Sequence, residues 1–367
     1  MFNKQIGISI YLGKNPIEQD LQYLQLAHSY GASRLFICFL NLDSANKEAF
    51  LSQVKILVNL ALALNYEIYI DVNRKILKLL DITYDNLDFF ISLGITGIRL
   101  DEGFTGFEES CMSYHSNLKI EINASNGTKH LDNIISFQAN IKNLTACHNF
   151  YPRRYTGLSY DYFLSTSQHI KNHNIKLAAF VTSQNSNTFS NQTTMEGLPT
   201  IENHRTLPII NQAKELFYSN LIDDVIIGNA YASESELKEL FLLNKDRITL
   251  DIHLEPNVPD MYVDILLNNL HFNRGDNSEY VIRSTETRIK YKNLNIPAFN
   301  TKKINPFDIT VDNNNYNKYK GELHIALKPM QNDGNVNVIG KVAPLDGFLL
   351  SYIKPWSKFQ FNIIKKD

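Results

Sequence analysis

The sequence has few cysteines and no long apolar run. Cys38, Cys111 and Cys147 are the only cysteines in 367 residues, and no two of them form a CxxC pair. Reduced thiols are therefore expected, rather than a disulfide framework or a zinc site built from cysteines. No apolar run reaches the ~18 residues of a transmembrane helix. The start, "MFNKQIGISIYLGKN", lacks the long apolar segment and cleavage site of a signal peptide. We expect a cytoplasmic protein without a membrane partner.

The sequence also lacks an excess of either charge. It has 36 basic and 38 acidic side chains, which gives a formal net charge of −2. This balance gives no electrostatic case for a nucleic-acid partner, although it is compatible with a local basic pocket for a small anion. The motifs HExxH, GxSxG and the Walker loop are absent. We therefore predict no metal and no organic cofactor.

Short β-branched or aromatic runs alternate with segments of helical spacing over about the first 230 residues. The eight runs are 5–11, 33–39, 66–72, 97–101, 118–125, 144–150, 175–182 and 224–229. Such alternation predicts an α/β fold, a (β/α)₈ TIM barrel over residues 1–245. The rival, a doubly wound open sheet, normally has a glycine-rich turn after its first strand. Here that turn, "YLGKNP", has a single glycine.

The pattern changes after residue 245. Residues 246–260 are assigned as a linker, and they include "DIHLEPNVP", whose two prolines favour a linker or a crossing strand. Beyond them, period-two alternation replaces the helical period and predicts a small β-rich domain, a barrel, over residues 261–367. The predicted strands are 279–289, 321–330, 335–342, 347–353 and 358–364.

Acidic side chains cluster at the ends of three predicted barrel strands. The chemistry of such barrels lies at the C-terminal strand ends, and period two places Asp71, Asp101, Glu121 and Asn123 towards the mouth. Buried carboxylates need partners, so they must either serve a site or pair with Arg99. Two structural alternatives stay open. Asp71 and Asp101 could cap the helices that follow them, and Glu121 with Arg99 could be an ion pair that only fills the core.

Polar and basic residues also follow the later strands. The candidates for substrate binding there are His148, Asn149, Tyr151, Arg153, Glu196, His204, Arg205 and Asn229, together with the acid Glu202. Arginine forks suit phosphate, and late barrel loops often bind it. Paired acids suit glycoside hydrolysis, in which one acid protonates the leaving oxygen. The structural alternatives are a buried histidine at 148 and a solvated helix start at 204–205.

Several long motifs then resemble a known family. They are "GIRLDEGF" (97–104), "IEINAS" (120–125), "ACHNFYPRRYTGLS" (146–159), "GLPTIENHR" (197–205), "DDVIIGNAYAS" (223–233), "KGELHIAL" (320–327) and "NVNVIGKV" (335–342). Together they resemble the MupG-type 6-phospho-N-acetylmuramidase family. The resemblance implies a barrel followed by a cyclophilin-like β domain. It also implies cytoplasmic hydrolysis of N-acetylmuramic acid 6-phosphate–N-acetylglucosamine to its two sugars during cell-wall recycling, with this phosphorylated disaccharide as the partner.

The resemblance does not assign the catalytic roles, so these follow from the predicted geometry. Asp101 and Glu121, on neighbouring strands, are the preferred catalytic pair, with Asp71 and Glu202 in reserve. In an alternative mechanism the acetamido group of the substrate is the nucleophile and Asp101 orients it. The predicted sugar-binding residues are Asn123, His148, Asn149 and Tyr151, and the predicted anion-binding residues are Arg153, His204 and Arg205. Arg283 of the β domain would reach over the mouth.

Other functions and assemblies remain as alternatives. A phospho-sugar-binding or regulatory protein on an inactive barrel is the runner-up from a different class. A sugar-phosphate aldolase is disfavoured because no lysine stands at a C-terminal strand end. The sequence leaves a homodimer open.

Overall fold

Eight parallel strands close a barrel in the first part of the chain, with the last strand pairing with the first. The structure is a computed structural model, and it describes residues 2–365. The barrel strands are β1 (Gln5–Ile10), β2 (Arg34–Cys38), β3 (Glu67–Val72), β4 (Gly97–Leu100), β5 (Lys119–Asn123), β6 (Leu144–Cys147), β7 (Lys176–Val181) and β8 (Asp224–Ile227). The predicted (β/α)₈ barrel is therefore confirmed.

Helices connect the strands. They are α1 (Ile17–Tyr30), α2 (Lys47–Ala63), α3 (Arg74–Leu79), α4 (Asp88–Ser92), α5 (Phe107–Met112), α6 (His130–Ser136), α7 (Tyr160–Asn172), α8 (Ile209–Tyr218) and α9 (Glu234–Leu242). Helix α2 shows why such segments fold: Phe50, Val54, Leu57 and Ala61 recur at helical spacing and are all buried. Helix α1 ends at Gly31, whose φ of 112° is open to glycine and disfavoured for residues with a Cβ. Among residues 2–365, no helix is both long and apolar enough to cross a membrane.

The tilt of the barrel strands decides how deep each inward side chain lies. One line of register partners runs from Asp71 to Arg99, then to Glu121, Thr145 and Lys176. It starts near the C-terminal end of β3 and finishes on the first residue of β7. Neighbours in register therefore descend from the mouth to the opposite end of the barrel, as strand stagger requires. Side chains that alternation assigns to the interior thus separate into layers.

The chain divides into two compact units, Met1–Leu243 and Asn244–Asp367. The second unit contains a seven-stranded sheet in the order β10-β15-β9-β14-β12-β13-β11. Its strands are β9 (Ile248–Leu254), β10 (His271–Phe272), β11 (Val281–Ser284), β12 (Asp308–Asp312), β13 (Leu323–Ala326), β14 (Val336–Val342) and β15 (Lys358–Ile363). Its helices are α10 (Asp260–Leu267) and α11 (Glu286–Lys290). The β-rich character predicted for this region is confirmed.

Local predictions for the second unit are only partly right. Residues 246–260 were assigned as a linker with a crossing strand as the alternative, and they contain a strand, β9, which lies between β14 and β15 in the sheet. The prolines that favoured a linker come only after this strand has ended. Residues 347–353 were expected to be a strand, but all of them except the last, Ile353, belong to a 3₁₀ helix, Pro344–Tyr352. Proline in the first turn suits a helix start.

Candidate active site

Arg99 joins two carboxylates and an amide at the mouth of the barrel. Its Nη1 donates to Oδ1 of Asp71 at 2.6 Å and to Oδ1 of Asp101 at 3.2 Å. Its Nη2 donates to Oδ1 of Asn149, which follows β6. We call these four residues the Arg99 cluster. Strands β3, β4 and β6 thus contribute to one group of charges at their C-terminal ends, where barrel chemistry lies.

Neither carboxylate of the cluster caps a helix. Asn73 caps α3, because its Oδ1 accepts a hydrogen bond from the backbone of Ile76 at 3.0 Å. Helix α5 starts after Gly106, whose N–H donates to Oε2 of Glu109 at 2.9 Å. The capping alternative for Asp71 and Asp101 is therefore wrong, and both carboxylates belong to the mouth.

The two acids differ in their surroundings. Asp71 is 2% exposed, and its burial raises the pKa of its carboxyl to about 6, although Arg99 opposes the shift. The negative charge of Asp101 raises this pKa further. By contrast, 36% of the Asp101 side chain is exposed. Two nearby acids in unlike environments are the usual basis for separate acid and base roles.

The loops after β5 and β6 form one wall beside the cluster. Asn123, at the end of β5, accepts from the backbone N–H of Ser125 at 2.9 Å. The hydroxyl of Ser125 in turn accepts from the backbone N–H of Asn149 at 2.9 Å. Tyr151 is half-buried, and burial raises the pKa of its phenol, while hydrogen bonds with Ser125 and Asn149 oppose this. These contacts place Tyr151 beside Asn149, which is itself a member of the Arg99 cluster. That both residues bind sugar stays a prediction.

His148 does not line the mouth. It is fully buried, with Nδ1 3.2 Å from the Ser125 hydroxyl and Nε2 2.9 Å from that of Ser167 in α7. Burial lowers the pKa of its imidazole to about 3, so the ring is neutral. Thr145 faces the interior in register with Glu121, and period two therefore turns His148 outward. The predicted contact of His148 with substrate is wrong. The alternation of side chains along β6 already indicated that His148 points away from the barrel interior.

Glu121 lies deeper than the cluster, in an ion network inside the barrel. Its Oε2 is 2.5 Å from Nη2 of Arg34, whose Nη1 is 2.6 Å from Oδ2 of Asp224. Lys176 also reaches this oxygen of Asp224, at 2.9 Å. Glu121 is fully buried and pairs with Arg34, not with Arg99 as the structural alternative supposed. Strand stagger separates it from Asp101, so the structure does not bring the preferred pair together at the mouth.

Glu202 and Arg205 form a clamp that fixes two loops. The guanidinium of Arg205 bonds both oxygens of Glu202, at 2.8 and 2.7 Å, and the backbone oxygens of Tyr151 and Glu196. Glu202 also accepts from the backbone N–H groups of Tyr155 and Gly157. The hydrogen bonds from Arg205 lower the pKa of Glu202 to about 2. Both side chains are already fully engaged in hydrogen bonds to protein groups. This argues against Glu202 as a reserve catalytic acid and against Arg205 as a phosphate ligand.

Three further candidates are also engaged within the protein. His204 is fully buried, with Nε2 2.7 Å from Oε2 of Glu215 in α8, so it is neither a ligand at the mouth nor a solvated helix start. Asn229 is buried, and its amide exchanges two hydrogen bonds with the backbone of Ser183. Arg283 lies in β11 of the second unit and donates to Glu322 at 2.9 Å. Its predicted reach over the mouth stays a prediction.

Basic groups remain available on the loop after β6. Arg153 is exposed and has no ion-pair partner among residues 2–365. Arg154 is also exposed and pairs with Glu196 at 3.3 Å. Arg154, Glu196 and Asn229 line a cleft of about 820 Å³ above the ends of β7 and β8. Late barrel loops of this kind often bind phosphate.

The long loop after β7 approaches the Arg99 cluster. Asn191 of this loop donates its amide to Sγ of Cys38 at 2.9 Å, and this sulfur lies 4.0 Å from Oδ2 of Asp71. Arg99, Ser125 and Asn191 were missing from the predicted site. The motif "RLD", in which Arg99 and Asp101 share a face, carried a signal for the arginine. Nothing local marks Asn191, which reaches Cys38 across 153 positions of sequence.

The family follows from comparison with known proteins. Residues 6–241 match the N-terminal part of 6-phospho-N-acetylmuramidase, and residues 248–362 match its C-terminal part. The chain belongs to the 6-phospho-N-acetylmuramidase family. It is therefore a glycosidase, and the family name indicates a phosphorylated muramic sugar as its substrate.

Solved structures include two relatives over the whole length. An uncharacterized B. cereus protein is 41% identical, with a TM-score of 0.91, over 98% of this chain and 100% of its own. A conserved Enterococcus faecalis protein of unknown function is 26% identical, with a TM-score of 0.71, over 98% of this chain and 96% of its own. No match is found among the curated proteins.

Proposed function

We propose that this 6-phospho-N-acetylmuramidase hydrolyses N-acetylmuramic acid 6-phosphate–N-acetylglucosamine into N-acetylmuramic acid 6-phosphate and N-acetylglucosamine. The reaction would serve cell-wall recycling in the cytoplasm. The observation that carries the proposal is the Arg99 cluster, which holds Asp71 and Asp101 together at the mouth of the barrel. Two carboxylates in unlike surroundings are what glycosidic bond cleavage needs.

Asp71 is the proposed general acid. Its raised pKa keeps a large share of the carboxyl protonated near pH 6, and a catalytic acid works best when its pKa is close to the working pH. Oδ1 accepts from Arg99, so Oδ2 would carry the proton. In the reaction this proton passes to the glycosidic oxygen as its bond to the anomeric carbon breaks. N-acetylglucosamine then leaves as a neutral sugar.

Asp101 is the proposed second carboxylate, on the exposed side of the cluster. One nitrogen of Arg99 reaches Oδ1 of each acid, so these two oxygens are at most about 6 Å apart. This upper bound is closer to the roughly 5–5.5 Å between the carboxyl groups of retaining glycosidases. Inverting enzymes need roughly 6.5–9.5 Å, to admit a water molecule. We therefore propose retention. Asp101 would either attack the anomeric carbon or orient the acetamido group of the substrate for that attack.

The anionic groups of the substrate have proposed partners on the loop after β6. The substrate carries a phosphate and a lactyl carboxylate, and Arg153 is an exposed guanidinium without an acidic partner among the described residues. The side chain of Arg154 is 62% exposed, and it could bind the same anion as Arg153 once its ion pair with Glu196 is broken. Arginine matches the geometry of both anions. Asn149 of the Arg99 cluster and the neighbouring Tyr151 would bind sugar hydroxyls.

The decisive experiment incubates the purified protein with the phosphorylated disaccharide and, separately, with its unphosphorylated form. Mass spectrometry would identify the products, and proton NMR would identify the anomer that forms first. We expect cleavage of the phosphorylated form, with retention. Asp71→Asn and Asp101→Asn should each lower kcat by roughly 10²–10⁴-fold, the usual contribution of an acid or base. Asp88→Asn, an exposed acid at the start of α4, is the matched control and should leave kcat unchanged.

Other outcomes would overturn parts of the proposal. Equal cleavage of both disaccharides would contradict a phosphate site. Tight binding of the phosphorylated sugar without turnover would instead support the binding-protein alternative. An inverted first anomer would show that a water molecule fits between the acids, which contradicts the roles given to Asp71 and Asp101.

A further inference from the structure

Two histidines lie four positions apart at the C-terminal end of α7, on the outside of the barrel. His169 is in the last turn of the helix, and His173 is its C-cap residue, directly after Asn172. Asp132, in the first turn of the neighbouring helix α6, faces both of them. Two histidines at this spacing, with a carboxylate from elsewhere, are a recurrent zinc-binding arrangement.

The distances among these three side chains fit a metal ion. Oδ1 of Asp132 lies 3.3 Å from Nε2 of His169 and 3.4 Å from Nε2 of His173. One ligand atom from each residue lies within 4.8 Å of the others. Zinc bonds of about 2.0–2.1 Å at tetrahedral angles place ligand atoms roughly 3.3 Å apart. The two distances from Asp132 therefore already match zinc spacing, and the two histidine nitrogens lie within 4.8 Å of each other.

A simple ion pair explains the cluster less well. A protonated histidine would direct an N–H group at Asp132. Instead, Nε2 of His169 is a buried atom with no hydrogen-bond partner among the described residues, although the carboxylate oxygen is only 3.3 Å away. Burial of a polar atom without a partner is costly. A metal ion between the three side chains would satisfy this nitrogen.

We propose that Asp132, His169 and His173 bind one divalent transition-metal ion, with Zn²⁺ as the best fit. Neutral imidazole nitrogens and a carboxylate form a donor set that zinc, nickel and copper prefer over magnesium and calcium. A cavity of about 310 Å³ beside His169 and Asp132 leaves room for a water molecule as a fourth ligand. No member of the Arg99 cluster lines this cavity. The ion would tie α6 to α7, and it would take no part in the glycosidase reaction.

Isothermal titration calorimetry of the full-length, EDTA-treated protein with ZnCl₂ tests the site. We expect one ion per chain, and an increase in Tm with added Zn²⁺, because a ligand that binds only the folded state stabilises it. His169→Gln, His173→Gln and Asp132→Asn should each weaken binding at least tenfold. His115→Gln is the matched control, since His115 lies in a turn after α5, and it should bind as wild type does. All four changes affect side chains that are at least partly exposed, so the variants should fold.

Two results would overturn the proposal. The first is the absence of stoichiometric Zn²⁺ binding by wild type. The second is unchanged affinity in a His169→Gln/His173→Gln double variant, which would place the ion elsewhere, for example at a cysteine. Visible absorption of the Co²⁺-substituted protein gives an independent measurement. Bands typical of nitrogen and oxygen ligands, without a thiolate charge-transfer band, are expected in wild type and should be lost in the double variant.

Discussion

Arg99 and Asp71 form an ion pair across 2.6 Å in a part of the barrel where both side chains are almost fully buried. Burial still raises the pKa of Asp71 to about 6, so the arginine offsets only part of the desolvation. The same arginine reaches the more exposed Asp101 at 3.2 Å. One cation thus holds a buried acid with a raised pKa next to a more exposed carboxyl group, which is the electrostatic basis of the proposed mechanism.

The raised pKa of Asp71 predicts a pH-dependent stability. In the folded protein the carboxyl binds its proton up to about pH 6, whereas an aspartate in the unfolded chain releases it near its ordinary pKa of 3.8. Between these values the folded state holds more protons, so stability falls as pH rises from about 4 to 6. The free energy of unfolding of Asp71→Asn, relative to wild type, should therefore rise by on the order of 2–3 kcal/mol over this range. Urea denaturation at pH 4, 5, 6 and 7 measures it, and a difference independent of pH would contradict the assignment.

Loss of Arg99 should move the pH profile of the enzyme. Its charge opposes the rise of the pKa of Asp71, so Arg99→Gln should raise that pKa above 6. The proposed acid would then stay protonated to higher pH, and the basic limb of the kcat/KM profile should shift upwards. The rate itself should fall, because Asp71, Asp101 and Asn149 lose their common donor. If the basic limb of the kcat/KM profile of Arg99→Gln kept its wild-type position, Asp71 would not be the general acid.

Glu121 and Asp101 should respond to substitution in opposite ways. Glu121→Gln removes one partner of a buried ion pair with Arg34, and such changes typically cost about 3–5 kcal/mol of stability. Because Glu121 lies below the mouth, kcat per folded molecule should stay near wild type. Asp101→Asn should lower kcat and leave Tm nearly unchanged, since its side chain is partly exposed. Thermal denaturation and active-site titration distinguish these results, and a Glu121→Gln enzyme that is stable but inactive would restore Glu121 as a catalytic residue.

The Glu202–Arg205 clamp should control the order of the loop after β6. Glu202→Gln loses the charge that binds Arg205 and weakens the acceptors for the N–H groups of Tyr155 and Gly157. We expect a lower Tm and faster hydrogen exchange at these two amides. KM should rise more than kcat falls, because the loop carries Arg153. Glu196→Gln weakens the pair with the Arg154 side chain and the acceptor for the Arg154 backbone N–H, but it leaves the N–H groups of Tyr155 and Gly157 bonded to Glu202. It should therefore change exchange at those two amides much less. Equal exchange in both variants would contradict the clamp.

His148 should matter for folding and not for binding. His148→Ala leaves the hydroxyls of Ser125 and Ser167 without this partner and opens a cavity against Phe163, whose ring centroid lies 5.1 Å away. The loss of stability should be about 2–4 kcal/mol, as for other buried side chains that lose packing and hydrogen bonds. KM of the folded fraction should remain near wild type. A large rise in KM with unchanged Tm would return His148 to the sugar site.

The sequence by itself determined the barrel and the general position of the chemistry. Eight alternating runs specify parallel strands with helices between them, because period two and period 3.6 are properties of the local backbone. Alternation also assigned Asp71, Arg99 and Asp101 to the interior at the C-terminal ends of their strands. The same rule, applied to β6, would have turned His148 outward.

Only the tertiary structure decided which of these side chains work together. The stagger of the strands lowered Glu121 towards Arg34, 87 positions away in sequence, and left Asp71 and Asp101 as the pair at the mouth. The charges of Glu202 and Arg205 were visible in the sequence, but their backbone partners Tyr151, Tyr155 and Gly157, more than 40 positions away, were not. How deep a side chain lies in the barrel, and whether protein groups already occupy a charged side chain, depend on contacts between distant strands and loops. Local periodicity does not encode these contacts.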